Sequence, residues 1–368
     1  MKILCIVLGS LALASVASAQ TTWRVIPASH EQLEGNSLST YPLKYEDVRW
    51  QMVIDKKAIA KTQAFLTSMS FRPDGSGSTK TYGTKKLNLA IALYEVAATP
   101  ATMSKTWKTN IGSAKGTVVF KKTLVLPAFS VSYPLPADFK VKVPFASTYT
   151  YKVANGNLLI DWQETSTYRS LSWSADAVNF NTKTPSGLVN KIWEDKGCMN
   201  ARGDQAYLSI ATTSQGVLGG SIQVKYTMKP AVSSNLDLMV LGLGASNRKW
   251  GSIQLPLDLK PAGLNGCSLA VDLTVLIPAI SSPITLTIPS SKAFDGLPLY
   301  FQGMAVDSKA ALLVPTYNAY QVLIQPSYLP TGVAQSVYAT KPSTRNGSGF
   351  MSPYFYFPVL RLDGKLFQ

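Results

Sequence analysis

The chain has 368 residues, 46% hydrophobic and 15% charged, and its 35 Lys and Arg against 20 Asp and Glu give a formal net charge of +15. Ample apolar content with sparse charge excludes a disordered chain and points to folded sandwiches or barrels. One histidine, His30, and three cysteines leave too few ligands for a His- or Cys-built metal centre and too few partners for a nucleophilic triad.

Taken in order, the chain opens with Lys2, the apolar stretch 3–16 and the small residues Ala17-Ser18-Ala19. This pattern reads as a secretory signal peptide over residues 1–19, with a mature chain from Gln20. The stretch is too short for a spanning helix, and no later run reaches the ~20 apolar residues a span needs, so the expectation is not membrane-spanning. Export predicts a secreted, extracellular or periplasmic protein in oxidising surroundings. It also removes nucleic acid as a partner. The basic excess, with close pairs at Lys56-Lys57, Lys85-Lys86 and Lys121-Lys122, then points to polysaccharide or an acidic cell-surface polymer. The plainer reading is that these lysines guard strand edges against pairing.

Period-two alternation predicts strands over 48–54, 87–93, 117–126, 157–163, 221–228, 269–275, 299–306 and 321–324. Residues 58–66 suit a helical turn or two. Turn chemistry separates the strands, as in Arg72-Pro73-Asp74-Gly75-Ser76-Gly77 and Ala154-Asn155-Gly156-Asn157. The fold class is therefore all-β, with two β-sandwich or jelly-roll domains. The polar, proline-bearing stretch Lys229-Pro230-Ala231-Val232-Ser233-Ser234-Asn235 divides a jelly-roll-like domain, 20–229, from a smaller sandwich, 236–326. Residues 331–368 form a Ser/Thr/Gly-rich linker and an aromatic tail, which either docks back as a strand or pairs with another molecule.

Several short stretches carry a resemblance. Glu34-Gly35-Asn36-Ser37 with Tyr41-Pro42 and Arg49-Trp50-Gln51 resembles the opening of a group of uncharacterised secreted bacterial proteins. Pro144-Phe145 with 156–161, then Leu241-Gly242, Leu255-Pro256-Leu257, Gly266-Cys267-Ser268-Leu269 and 296–302 through Asp307 resemble its later parts. The similarity covers roughly residues 24–325. It implies an exported, sandwich-rich protein whose first domain is similar to carbohydrate-binding jelly rolls, and it brings no functional residues.

The residues themselves offer few centres of chemistry. Cys198 and Cys267 are free to form one disulfide, which would join the two expected domains. His30 lies in a polar stretch and reads as a loop residue. Acidic residues are scattered, so calcium is not indicated, although a site built from backbone carbonyls leaves little trace in sequence. Asp161 and Glu164 flank Trp162, and carboxylates beside an aromatic ring are the components of a sugar site. On an extended strand the two acids point to opposite faces, which argues against a glycosidase pair. Trp173 and Trp193 also have polar neighbours and join Trp162 as candidate sugar platforms. Tyrosines with lysines supply raw material for a polysaccharide lyase without a motif. Arg202-Gly203-Asp204 reads as a chance match, and Asn346-Gly347-Ser348 is a formal glycosylation acceptor that matters only in a eukaryotic host. No catalytic residue and no metal ligand is assigned. The expectation is a non-catalytic binding protein for carbohydrate or acidic polymer. A structural or adhesive component capable of self-association, and a lyase or glycosidase, stand as alternatives.

Overall fold

Alternation sets the burial pattern of the strands. In Lys85–Val96 the side chains of Leu87, Leu89, Ile91 and Leu93 are buried while their neighbours face outward. A computed structural model describes residues 22–35, 37–75, 80–133, 135–166, 173–180, 188–195, 197–199, 203, 205–211, 216–229, 239–279, 282–294, 296–307, 312–324, 333–339, 349–351 and 355–366. The expected signal peptide, the 230–235 linker, Arg202 and Asp204, and Asn346 lie outside these residues. Among the described residues no helix is long and apolar enough to cross a membrane.

The first sandwich packs a four-stranded sheet on a six-stranded one, both antiparallel. The smaller sheet runs Trp23–Ile26, Leu360–Leu366, Gln63–Phe71, Val141–Lys152. The larger runs Phe350–Met351, Ala334–Ala339, Arg49–Ile54, Asn157–Glu164, Lys85–Val96, Thr117–Leu126. Trp50, Trp162 and Phe71 meet edge to face at its centre, with ring centroids 5.9–6.5 Å apart. Arg49–Ile54 is buried on both faces because the second face is covered by the segment carrying Met103, Trp107 and Asn110. A three-stranded sheet, Ser37–Ser39, Ala175–Phe180 and Phe355–Pro358, lies alongside.

The second sandwich pairs a five-stranded sheet with a three-stranded one. The five run Leu188–Glu194, Leu312–Leu323, Pro298–Asp307, Met239–Gly244, Val275–Ala279, and the three run Gln205–Ile210, Ser221–Lys229, Ile284–Thr287. Leu208, Ile222, Val224, Leu241, Phe301 and Val322 form its core.

This pairing runs across the expected boundary at 229–236. Leu188–Glu194 and Ser221–Lys229 belong with the later strands, and Ala334–Ala339 and Leu360–Leu366 return to the first sandwich. The second sandwich is thus inserted between strands of the first, and the aromatic tail docks back. A local drop in apolar content reads as a linker, but strand partners are chosen by contacts far along the chain. Two further expectations shift. Of the stretch 58–66, only its start is helical, in Lys56–Ile59, before Gln63–Phe71 takes over as a strand, and 269–275 is broken around Asp272. The Asp272 carboxylate accepts from the Ser246 amide at 2.8 Å where the chain passes from a two-stranded sheet, Leu257–Asp258 with Ser268–Leu269, into the five-stranded one.

Candidate functional site

The platforms expected from sequence are interior residues. Trp162 and Trp173 are both 0% exposed. Trp162 fills the first core, and the Trp173 indole donates to the Gly83 carbonyl at 2.8 Å while packing on Tyr82 and Phe129. Trp193 is half-buried on the cluster around Ile192, 6.0 Å from Tyr133. Asp161 is held by Arg49 through two hydrogen bonds, at 3.0 and 2.8 Å. Glu164 accepts from the Ser166 amide at 2.5 Å, and burial raises its pKa. The strand separates the two acids: Asp161 lies on the outer face with Arg49, Glu164 on the same side as Trp162. Together these five residues make no sugar site. Polar neighbours were the reason for expecting exposure, but in a strand polar neighbours point away from the residue between them.

Exposed aromatics lie elsewhere, at Trp23, Tyr45, Trp250 and Phe350, and of these Trp23 borders clefts lined by cations. Trp23 opens the edge strand of the four-stranded sheet and is 47% exposed. Its strand is anchored by Val25, packed with Val178 and Val359, and by Ile26 in the main core. The indole N–H donates to the Glu31 carboxylate at 3.0 Å, which fixes the ring where two clefts meet. One cleft, of about 300 Å³, is lined by Phe139, Lys140, Arg248 and Arg361. The other, of about 720 Å³, is lined by Phe65, Thr67, Lys142, Asp363 and Lys365. Arg248 and Glu31 also border a third cleft of about 490 Å³, with Asn247 and Tyr300 of the inserted sandwich on its far wall.

Charge in this groove is mostly positive and partly unspent. Arg361 stacks over Phe139 at 5.1 Å and pairs with Asp363 at 2.9 Å, and Lys140 pairs with Asp138 at 3.2 Å. Lys142, Lys365 and Arg248 have no carboxylate partner among the described residues. Arg248 instead donates to the Pro136 carbonyl at 3.2 Å, which turns its guanidinium toward the first cleft. An exposed ring flanked by unpaired cations suits a sugar carrying carboxylate or sulfate: axial C–H groups meet the π face while the cations meet the anion. Nothing in the sequence around Trp23 marks it as exposed. Its exposure is set by a pairing with Asp363, at the far end of the chain.

A second constellation is wholly interior. Glu34, Asp74 and Asp176 are each 1% exposed or less, with carboxylate oxygens within 4.8 Å of one another. Arg72 donates to Asp176 at 2.6 Å and to the His30 and Leu33 carbonyls, while Lys80 pairs with Asp74. With a guanidinium and an ammonium already among the acids, the cluster does not fit calcium, which wants an all-oxygen shell. Burial, aided by Arg72, pushes His30 down to about 3, so the only histidine is a neutral core residue. Cys198 and Cys267 form the expected disulfide, packed with Val314, but with the boundary redrawn the bond lies within the inserted sandwich region and does not tie one sandwich to the other. No protein-family profile and no curated protein matches the chain.

Proposed function

We propose that this is an exported, non-catalytic binding protein for acidic polysaccharide, with Trp23 as its stacking platform and Lys142, Lys365, Arg248 and Arg361 as its anion contacts. The observation that carries the reading is the exposed indole of Trp23, fixed by Glu31 at the meeting point of two cation-lined clefts. The resemblance to secreted proteins with carbohydrate-binding jelly rolls and the basic balance of the chain agree with it. Because sandwiches host many unrelated activities, the reading rests on the groove rather than on the fold.

The test is retention on immobilised acidic polysaccharides (pectate, alginate, a sulfated glycan) beside neutral glucans, with assay for new reducing or unsaturated ends. The reading expects retention on the acidic polymers, a portion of it surviving high salt, and no new ends. Retention on none of them rejects it, and new ends turn the protein into a lyase or glycosidase. A second reading, a structural or adhesive component, draws on one specific observation. The edge strands Thr117–Leu126 and Val275–Ala279 expose Val118, Val125, Val275 and Leu276. Self-association across a dilution series would favour it.

A further inference from the structure

The interior acid cluster lies where the two sandwiches meet. Residues 27–35 cross the first sandwich and reach the second. Leu33 packs with Ile192, Val271, Tyr300 and Leu323, and the Asn190 amide donates to the Glu34 carbonyl at 2.9 Å. The next contacts face the other way. The Glu34 carboxylate accepts from the Gly75 amide at 3.0 Å, and the Gly35 amide donates to Asp176 at 2.9 Å. Arg72 holds the His30 and Leu33 carbonyls of the same segment. The fit at Gly35 is tight enough that a Cβ there would stand 2.1 Å from the Ala177 carbonyl oxygen.

The charges do not balance if every acid is ionised: three carboxylates face two cations. The second oxygen of Glu34 is buried and has no hydrogen-bond partner among the described residues. A carboxyl proton supplies both the missing charge and the missing donor. We propose that Glu34 and Asp176 hold one proton between them, and that this proton fastens residues 27–35 across the seam, which loosens as alkaline solution removes it. Burial and the neighbouring carboxylates hold Glu34 well above the usual carboxylate range, and burial pushes Asp176 up to about 6 against the pull of Arg72. The other titratable or charged groups facing the cluster are His30 on the segment itself, Arg72 and Asp74 after Gln63–Phe71, Lys80 and Tyr82, and Tyr133. Burial keeps His30 and both phenols neutral at neutral pH.

Sign and size follow from linkage. The folded protein binds the proton and the unfolded chain, with an ordinary glutamate, does not, so stability falls as pH rises between the two pKa values. Denaturant unfolding of the wild type and of Glu34→Gln, at intervals across pH 6.5–7.5, isolates the effect, because every other group is common to both proteins. The wild-type unfolding constant should rise with pH relative to the variant, with about tenfold per pH unit as the one-proton limit. Hydrogen exchange, corrected for intrinsic rates, should show residues 27–35 losing protection at pH 8.5 while Gln63–Phe71 keeps its own. Should Glu34→Gln not fold, Gly35→Ala replaces it. That variant unseats the segment without touching a titratable group, and its 27–35 exchange should be raised at both pH values. Equal pH slopes in wild type and Glu34→Gln overturn the proposal, as does unchanged protection of 27–35 between pH 6.5 and 8.5. Loss of the slope on adding calcium, restored by EDTA, also overturns it in favour of an ion.

Discussion

Trp162 and Trp23 belong to the same sandwich and meet opposite fates. Trp162 lies on a central strand with partners on both sides, and its face of the sheet is closed by Trp50 and Phe71. Trp23 lies on an edge strand paired only with Leu360–Leu366, and its ring is left at the mouth of two clefts. The same side chain is a packing element in one place and an exposed cleft wall in the other. What decides is the position of its strand in the sheet.

Charge divides in the same way. Arg72 is fully buried among three carboxylates and ties residues 27–35 to the first sandwich, whereas Lys142 and Lys365 face the cleft beside Trp23. Interior charge bears on stability, whereas charge facing a cleft is open to solvent and to screening by salt.

Substitutions sharpen the contrast, beginning with the interior. Arg72→Met strands three buried acids and should cost about 5 kcal/mol, read by denaturant unfolding. Trp162→Ala opens a cavity between the sheets and should cost about 3–5 kcal/mol. Replacing Cys198 and Cys267 by serine releases a loop of sequence separation 69 and should cost about 2–4 kcal/mol, matched by reducing agent on the wild type. The smallest stability effect belongs to Trp23→Ala, within about 0.5 kcal/mol, since an exposed edge residue takes little with it. A Trp23→Ala protein as unstable as Trp162→Ala would erase the distinction.

The all-β class was legible because period-two alternation is local: the strands over 48–54, 117–126, 157–163 and 299–306 appear almost where expected. The partition into sandwiches was not, since one of the two partners of Ser221–Lys229 lies beyond residue 280 and the partner of Trp23–Ile26 beyond residue 359. The groove was hidden for the same reason. The interior cluster was concealed differently: Arg72-Pro73-Asp74-Gly75 has the chemistry of a surface turn, and it is buried only because residues 27–35 and Ala175–Phe180 close over it. Polar neighbours misled the choice among tryptophans, although alternation alone would have placed Trp162 inward beside Leu158 and Ile160.

The most direct test of the groove is a calorimetric titration of an acidic oligosaccharide into wild type, Trp23→Ala and Lys142→Gln/Lys365→Gln, each at low and high salt. Binding through this site predicts that Trp23→Ala loses the salt-resistant part of the affinity and the double variant loses the salt-sensitive part. Wild-type affinity in both variants at both salts would contradict it.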